Sequence, residues 1–186
     1  MCQLIAELER DHANIAKLLD HVESEILAIG VGKTPDYVLL QGIMRYMTRC
    51  PDRFHHPKEE VVFAHVLKCV PGARANIEAL VDEHDSIGLA GRKFDRLLRA
   101  SVVDSVDVRE QLVTAANSYI RALREHMLKE ERNLFALAKT VLSETDWRDI
   151  DEQFDAIDDT LFDAMIGNDY ERLYSWIISG QARSTA

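Results

Sequence analysis

Apolar residues recur along this chain at steps of three and four, the period of helices with one buried face. Leu4, Leu8, Ile15, Leu19, Val22 and Ile26 form the first such stripe, with His12 in line, and predict a helix over about residues 3–29 that the segment GVGKTPD ends. Thr34 followed by Pro35 is a start signal for a second helix, whose stripe runs through Leu39, Ile43 and Met47. Pro51 and Pro57 each remove a backbone donor, which predicts a kink or short break where His55 and Glu59 sit. A third helix follows Pro71-Gly72 and runs to about residue 100 through Ile77, Leu80, His84, Ile87, Phe94 and Leu97. The fourth covers about 105–142 through Ala116, Tyr119, Leu123, His126, Glu130, Leu134 and Leu137. Alternating strand patterns are scarce. The expected fold is all-α, a four-helix bundle running up-down-up-down over residues 1–143.

Beyond Ser143 the composition turns acidic, in SETDWRDIDEQFDAIDD. Thr145 is the expected cap there, with Arg148 where a Glu or Gln would complete a capping box, and Asp146 favours a helix start through the macrodipole. A further short helix over about 169–178 and a frayed tail complete a short helical appendage over residues 144–186.

Polar residues interrupt the apolar stripes in a repeated order. His12, His55 and Glu59 in the first half match His84, His126 and Glu130 in the second; the histidines are 43 and 42 residues apart, and each half closes with His-x-x-x-Glu. HHPKEEVVFAHVL and HMLKEERNLFALA share His, Lys, Glu and Glu at the same offsets, while the earlier arms are RDH and DEH. Two copies make an αα repeat rather than a solenoid. Residues four apart on a helix share a face, so each His–Glu pair can reach a common centre. A single His on an apolar stripe is an ordinary hydrogen-bonded core residue. Four of them with two carboxylates would leave several buried polar groups without partners, a cost that a metal cluster removes. A metal site built by His12, His55, Glu59, His84, His126 and Glu130 is therefore expected.

The remaining candidates rank lower. His56 lies about 100° round the helix from His55 and is assigned to the pocket or second shell. Tyr119, seven residues before His126, either lines the pocket or is a core tyrosine. His21 is expected to face solvent and His65 to be structural, and Glu60 and Glu131 read as solvated helix surface. One Glu-x-x-His string exists, Glu9 to His12, which disfavours a ferritin-like di-iron site. His-Glu-x-x-His, Gly-x-Ser-x-Gly and a P-loop are absent, leaving those hydrolytic routes and nucleotide binding without support.

Composition excludes other classes. A formal net charge of -10 without any block of Lys or Arg argues against nucleic acid. Cys2, Cys50 and Cys69 are widely spaced and suggest neither a disulfide framework nor a zinc ribbon. No apolar run reaches the roughly 18 residues of a membrane span, and the first residues lack the order of a signal peptide. No membrane partner and a cytoplasmic location are expected.

On RYMTRCPDRFHHPKEEVVF, EHMLKEERNLF and the RDH and DEH arms, residues 1–142 resemble the hemerythrin-like proteins of the HHE cation-binding type. The resemblance implies a bundle holding two iron ions in an Fe–O–Fe type centre, with manganese or zinc as alternatives. His12 and His55 would bind one ion, His84 and His126 the other, and Glu59 and Glu130 would bridge. Two departures stand out. The family's oxygen carriers place a second His four residues after the third-helix His, where this chain has Gly88, and close with His-x-x-x-x-Asp rather than His-x-x-x-Glu. Loss of one nitrogen ligand leaves room on the second iron for an open position, a water or another protein ligand. The resulting expectation is a protein that binds a small diatomic, dioxygen or nitric oxide, in sensing or a stress response. The alternatives are a di-iron enzyme acting on peroxide or nitric oxide or donating iron for cluster repair, and a partner-binding bundle with structural metal.

Overall fold

The computed structural model describes residues 3–49, 51, 55–101, 106–161 and 174–175. They form α1 (Gln3–Gly30), α2 (Tyr37–Met47), α3 (His56–Cys69), α4 (Arg74–Ala100), α5 (Val106–Lys129), α6 (Ala136–Val141) and α7 (Glu144–Leu161). A 3₁₀ turn, Pro71–Ala73, leads into α4, and a π-helical stretch, Glu130–Phe135, joins α5 to α6. There is no strand among the described residues, so the all-helical expectation holds. No helix among them is long and apolar enough to cross a membrane.

Local chemistry sets the breaks. α1 ends in a left-handed glycine, Gly32 at φ 77°. Its N–H donates to the Ile29 carbonyl at 3.0 Å and the Lys33 N–H to that of Ala28 at 2.9 Å, a pairing that satisfies the last free carbonyls. α2 is capped by Asp36, whose Oδ1 accepts from the Leu39 N–H at 2.9 Å. The expected cap, Thr34, lies two residues too early, because Asp36 also donates its own N–H to Glu25 Oε2 at 2.7 Å and is thereby fixed against α1. α2 stops at Met47 and α3 begins at His56, with Pro57 in the first turn where its missing donor costs nothing; between them Pro51 and His55 have π-helical backbone, a departure from regular α geometry where the prolines stand.

The acidic segment is capped two residues earlier than its sequence suggests. Ser143 Oγ accepts from the Asp146 N–H at 3.3 Å, and Asp146 Oδ2 accepts from the Ser143 N–H at 2.8 Å. This reciprocal box uses Asp where Glu is commoner and leaves Thr145 inside the first turn. The predicted helix over 169–178 lies outside the described residues except for Tyr174 and Ser175. Tyr174 donates its hydroxyl to Asn14 Oδ1 at 2.8 Å and packs beside the α1–α2 core.

α5 packs along α4 and α1, α2 against α4 and α1, and α3 against α1, α6 and α7. Their buried faces form two apolar clusters. One gathers Leu19, Val22, Ile43, Met44, Phe94, Leu98, Ala116 and Tyr119; the other gathers Leu4, Leu8, Phe63, Val66, Ile77, Leu134, Phe135 and Ile150. The interrupting His and Glu residues fall between them in sequence: His12 between Leu8 and Ile15, His84 between Leu80 and Phe94, and Glu130 between Met127 and Leu134. Asp36→Ala should therefore cost about 1 kcal/mol in urea unfolding, as loss of a helix cap does. Thr34→Ala should cost less than about 0.5 kcal/mol, as an exposed change away from such features does.

Candidate metal centre

Each half of the bundle contributes one mid-helix histidine and one His–Glu pair. α1 carries His12 and α4 carries His84, each with its acid neighbour, Asp11 or Glu83, one residue before. His55 immediately precedes α3, and Glu59 lies in that helix's first turn; the two meet at 3.1 Å (Nε2 to Oε1). His126 ends α5 and Glu130 opens the π-helical stretch, and these meet at 2.9 Å. A π turn widens the helix by a residue and re-aims side chains, a departure that recurs at functional sites.

The two carboxylates lie between the histidine pairs. Glu59 turns Oε1 toward His55 (3.1 Å) and His12 (3.8 Å), and Oε2 toward His84 (3.4 Å). Glu130 turns Oε1 toward His126 (2.9 Å) and His84 (3.3 Å), and Oε2 toward His12 (3.4 Å). Both glutamates are fully buried, His12 and His126 are nearly so, and His55 and His84 keep 8% and 11% of their side chains exposed.

Acids on the rim fix three of the imidazoles. His12 Nδ1 meets Glu131 Oε1 at 3.0 Å, His55 Nδ1 meets Asp11 Oδ2 at 3.2 Å, and His126 Nδ1 meets Glu83 Oε2 at 3.0 Å. A carboxylate only accepts, so each Nδ1 donates its hydrogen outward and each Nε2 turns inward. In neutral rings those Nε2 atoms carry lone pairs. Yet His12 Nε2 and His55 Nε2 face each other at 3.0 Å, and both glutamates bring further acceptors to the same space. Glu59 Oε1 and Oε2, Glu130 Oε2 and His126 Nε2 are buried without a hydrogen bond of acceptable geometry. Converging buried lone pairs need a positive charge between them, and neutral imidazole with carboxylate is the donor set of a transition-metal ion. The residues therefore fit a metal.

Protons take that role when no cation does. Burial disfavours charge on His12 and His55, but Glu130 and Glu59 outweigh it at His12, raising it to about 10, and Glu59 with Asp11 raises His55 to about 9. His126 is raised against burial by Glu130 and Glu83. Glu59 and Glu130 are pulled below the ordinary carboxylate range, against their burial, by the surrounding histidines. His56 moves the other way, to about 3, through burial and the neighbouring His84.

All six residues expected from the sequence meet here, as three groups whose ligand atoms lie within 4.8 Å of one another: His12, His55 and Glu59; His56, Glu59 and His84; and His84, His126 and Glu130. His56 thus lies beside the centre, its ring stacked on that of His84. Tyr119 packs against Gly91 and Phe94 in the apolar core. An added Cβ at Gly88 would meet Arg92 Nη1 at 3.1 Å. His21 is half-buried rather than solvent-facing and joins none of the three groups. His65 is structural, 3.1 Å from the Gln153 amide and thereby tied to α7. Glu60 is exposed as expected, but Glu131 is not idle surface, since it holds His12. Glu9, of the lone Glu-x-x-His string, pairs with Lys139 instead. Asp11 and Glu83 are functional neighbours that spacing did not single out, although the acid preceding each first-arm His was visible in the repeat.

Two outcomes follow from this geometry. Asp11→Asn, Glu83→Gln and Glu131→Gln should each weaken cation affinity about 10- to 100-fold in a metal titration, as loss of an outer-shell partner of a ligating His does. In metal-free protein the raised histidines contribute stability that is full below their unfolded value of 6.5 and lost as pH rises through about 9 and 10. The lowered glutamates contribute stability that is full above 4.5 and lost as pH falls through their folded values. Because His56, held neutral down to about 3, costs stability as pH falls below 6.5, the melting temperature should peak near pH 6.5, and a bound cation should abolish the alkaline decline.

Comparison with known proteins agrees with this arrangement. The family model described as the hemerythrin HHE cation binding domain matches residues 3–138, a span that holds all six residues of the centre and their three supporting acids. No match was found among curated proteins or solved structures. With most of its length under that model, the chain belongs to the hemerythrin HHE cation-binding domain family.

Proposed function

We propose that the protein holds two iron ions between its helices and binds a small diatomic ligand, dioxygen or nitric oxide, there, in sensing or a stress response. His12 and His55 serve one ion, His84 and His126 the other, and Glu59 and Glu130 bridge. The observation that carries this reading is the division of carboxylate oxygens: Glu59 and Glu130 each direct one oxygen toward one histidine pair and the other toward the second pair. A site for a single ion has no use for that division.

When bound, such a pair of irons supplies redox-active coordination positions for a diatomic ligand. The chain's own contribution is orientation and enclosure. Asp11, Glu83 and Glu131 hold the Nδ1 hydrogens of His55, His126 and His12, which keeps each Nε2 free to ligate. Phe135 stacks on the His12 ring at 5.5 Å and, with the apolar residues above and below, keeps bulk water from the carboxylates. The partly exposed edge of His84 is where solvent comes nearest. On this reading residues 1–143 are the metal-binding unit, with alternating helix directions, and residues 144–186 an appendage that His65 and Tyr174 fasten to it.

Iron-reconstituted protein should contain about two irons per chain by elemental analysis, as a two-metal centre requires. Its absorption spectrum should change on exposure to air or to nitric oxide under anaerobic conditions. His84→Ala should lower the iron content toward about one per chain and abolish the spectral response, as loss of a ligand to one of two ions does. Reconstituted wild-type protein without bound iron would sink the proposal.

A further inference from the structure

Behind the two histidine pairs the supporting charges are unequal. His12 and His55 each direct a ring hydrogen outward to a carboxylate, Glu131 at 3.0 Å and Asp11 at 3.2 Å, and neither acid meets a Lys or Arg among the described residues. His126 has Glu83 at 3.0 Å, but the other oxygen of Glu83 accepts from the Lys129 ammonium. No acid meets the outer nitrogen of His84 among the described residues; the His56 ring lies on its face, with centroids 3.8 Å apart and planes 11° from parallel. One pair thus has two uncompensated carboxylates behind it, and the other has a single carboxylate that a lysine already offsets.

We propose that the two ions are held unequally: the ion between His12 and His55 is retained, the ion between His84 and His126 is exchangeable, and Lys129 is the residue that loosens the second. The inference rests on the two-metal reading above. A carboxylate on Nδ1 fixes the ring and makes Nε2 a stronger donor, so an imidazole without one is the poorer ligand. Stacking positions the His84 ring but brings no such gain.

Other charges near the centre do not reverse the difference. Glu59 and Glu130 each serve both pairs. Arg124, which borders the same groove as His12 and Glu131, is neutralised by Asp20 and Glu23 at 2.7 and 2.9 Å. The start of α3 beside His55 carries about half a positive charge, which works the other way but does not match two full carboxylates. A one-ion form is then a stable state of the chain, and the occupancy of the second position follows the concentration of free cation.

Full-length protein is titrated anaerobically with ferrous iron by calorimetry. Wild type should take up two ions in two resolved steps. Equal sites that share carboxylates also fill in two steps, because the first ion repels the second, so charge variants assign them. Lys129→Met removes a half-exposed cation and should tighten the weaker step about threefold, the scale of an exposed ion pair, while leaving the stronger one unchanged. Arg74→Met removes an equal charge from the Glu78 pair on α4 and should change neither step. Asp11→Asn should weaken the stronger step about 10- to 100-fold, as loss of the acid behind a ligating His does. A lysine needed only for structure would weaken binding when removed, so Lys129→Met that binds the second ion no more tightly than wild type overturns the assignment. Asp11→Asn that leaves the stronger step unchanged, or wild type that takes up both ions in one step, overturns it as well. Wild type that takes up one ion or none is a distinct result, because it removes the two-metal reading itself.

Discussion

The structure depends on the neutralisation of two buried carboxylates by the imidazoles that surround them. Glu59 and Glu130 have no access to solvent, and an isolated ionised carboxylate in such a place would be prohibitively costly. Their charge is tolerable because four histidines from four separate chain segments converge on them, and because three of those histidines are in turn held by acids on the rim. The layer is thus nested: acid outside, imidazole between, carboxylate within. A charge placed between the inward nitrogens and the carboxylates, whether protons or a metal, completes it.

This polar layer also organises the packing. Apolar clusters lie on either side, and the same helices supply all three parts, so the rotation that buries Leu8 and Ile15 also fixes the aim of His12. Ligand geometry is inherited from helix packing rather than from loops, which suits a site that must not relax when its charge changes. The exceptions are informative. His55 and His56 stand at a helix start and Glu130 at a π-helical stretch, the two places where the backbone leaves regular α geometry within the centre. Those irregularities give side chains directions that a straight helix would deny them.

Much of this was legible in the residues. The stripes located α1, α4 and the long α5–α6 rod to within a few positions, and the repeated His-x-x-x-Glu with the RDH and DEH arms singled out six side chains that the fold brings together. The caps were less legible. Thr34 and Thr145 matched the residue preference, but Asp36 won through a second hydrogen bond to Glu25 that requires α1 beside it, whereas Ser143 won through a local box with Asp146 three residues on. Glu131 read as surface for a similar reason: a half-exposed acid on a helix looks idle until the ring of His12 arrives from another helix.

By itself, the sequence determined which residues are polar within the apolar stripes, that they come in two matching sets, and that the set suits metal. Period and side-chain chemistry are local properties, and these conclusions need no more. Only the tertiary structure decided how the halves interleave: that each glutamate faces both histidine pairs, that Asp11 and Glu83 serve the His of the second arm in their own half, and that His56 turns to His84 while its neighbour turns to His12. Those are relations between residues up to 119 positions apart, and they are fixed by the packing of helices against one another, which no local pattern specifies.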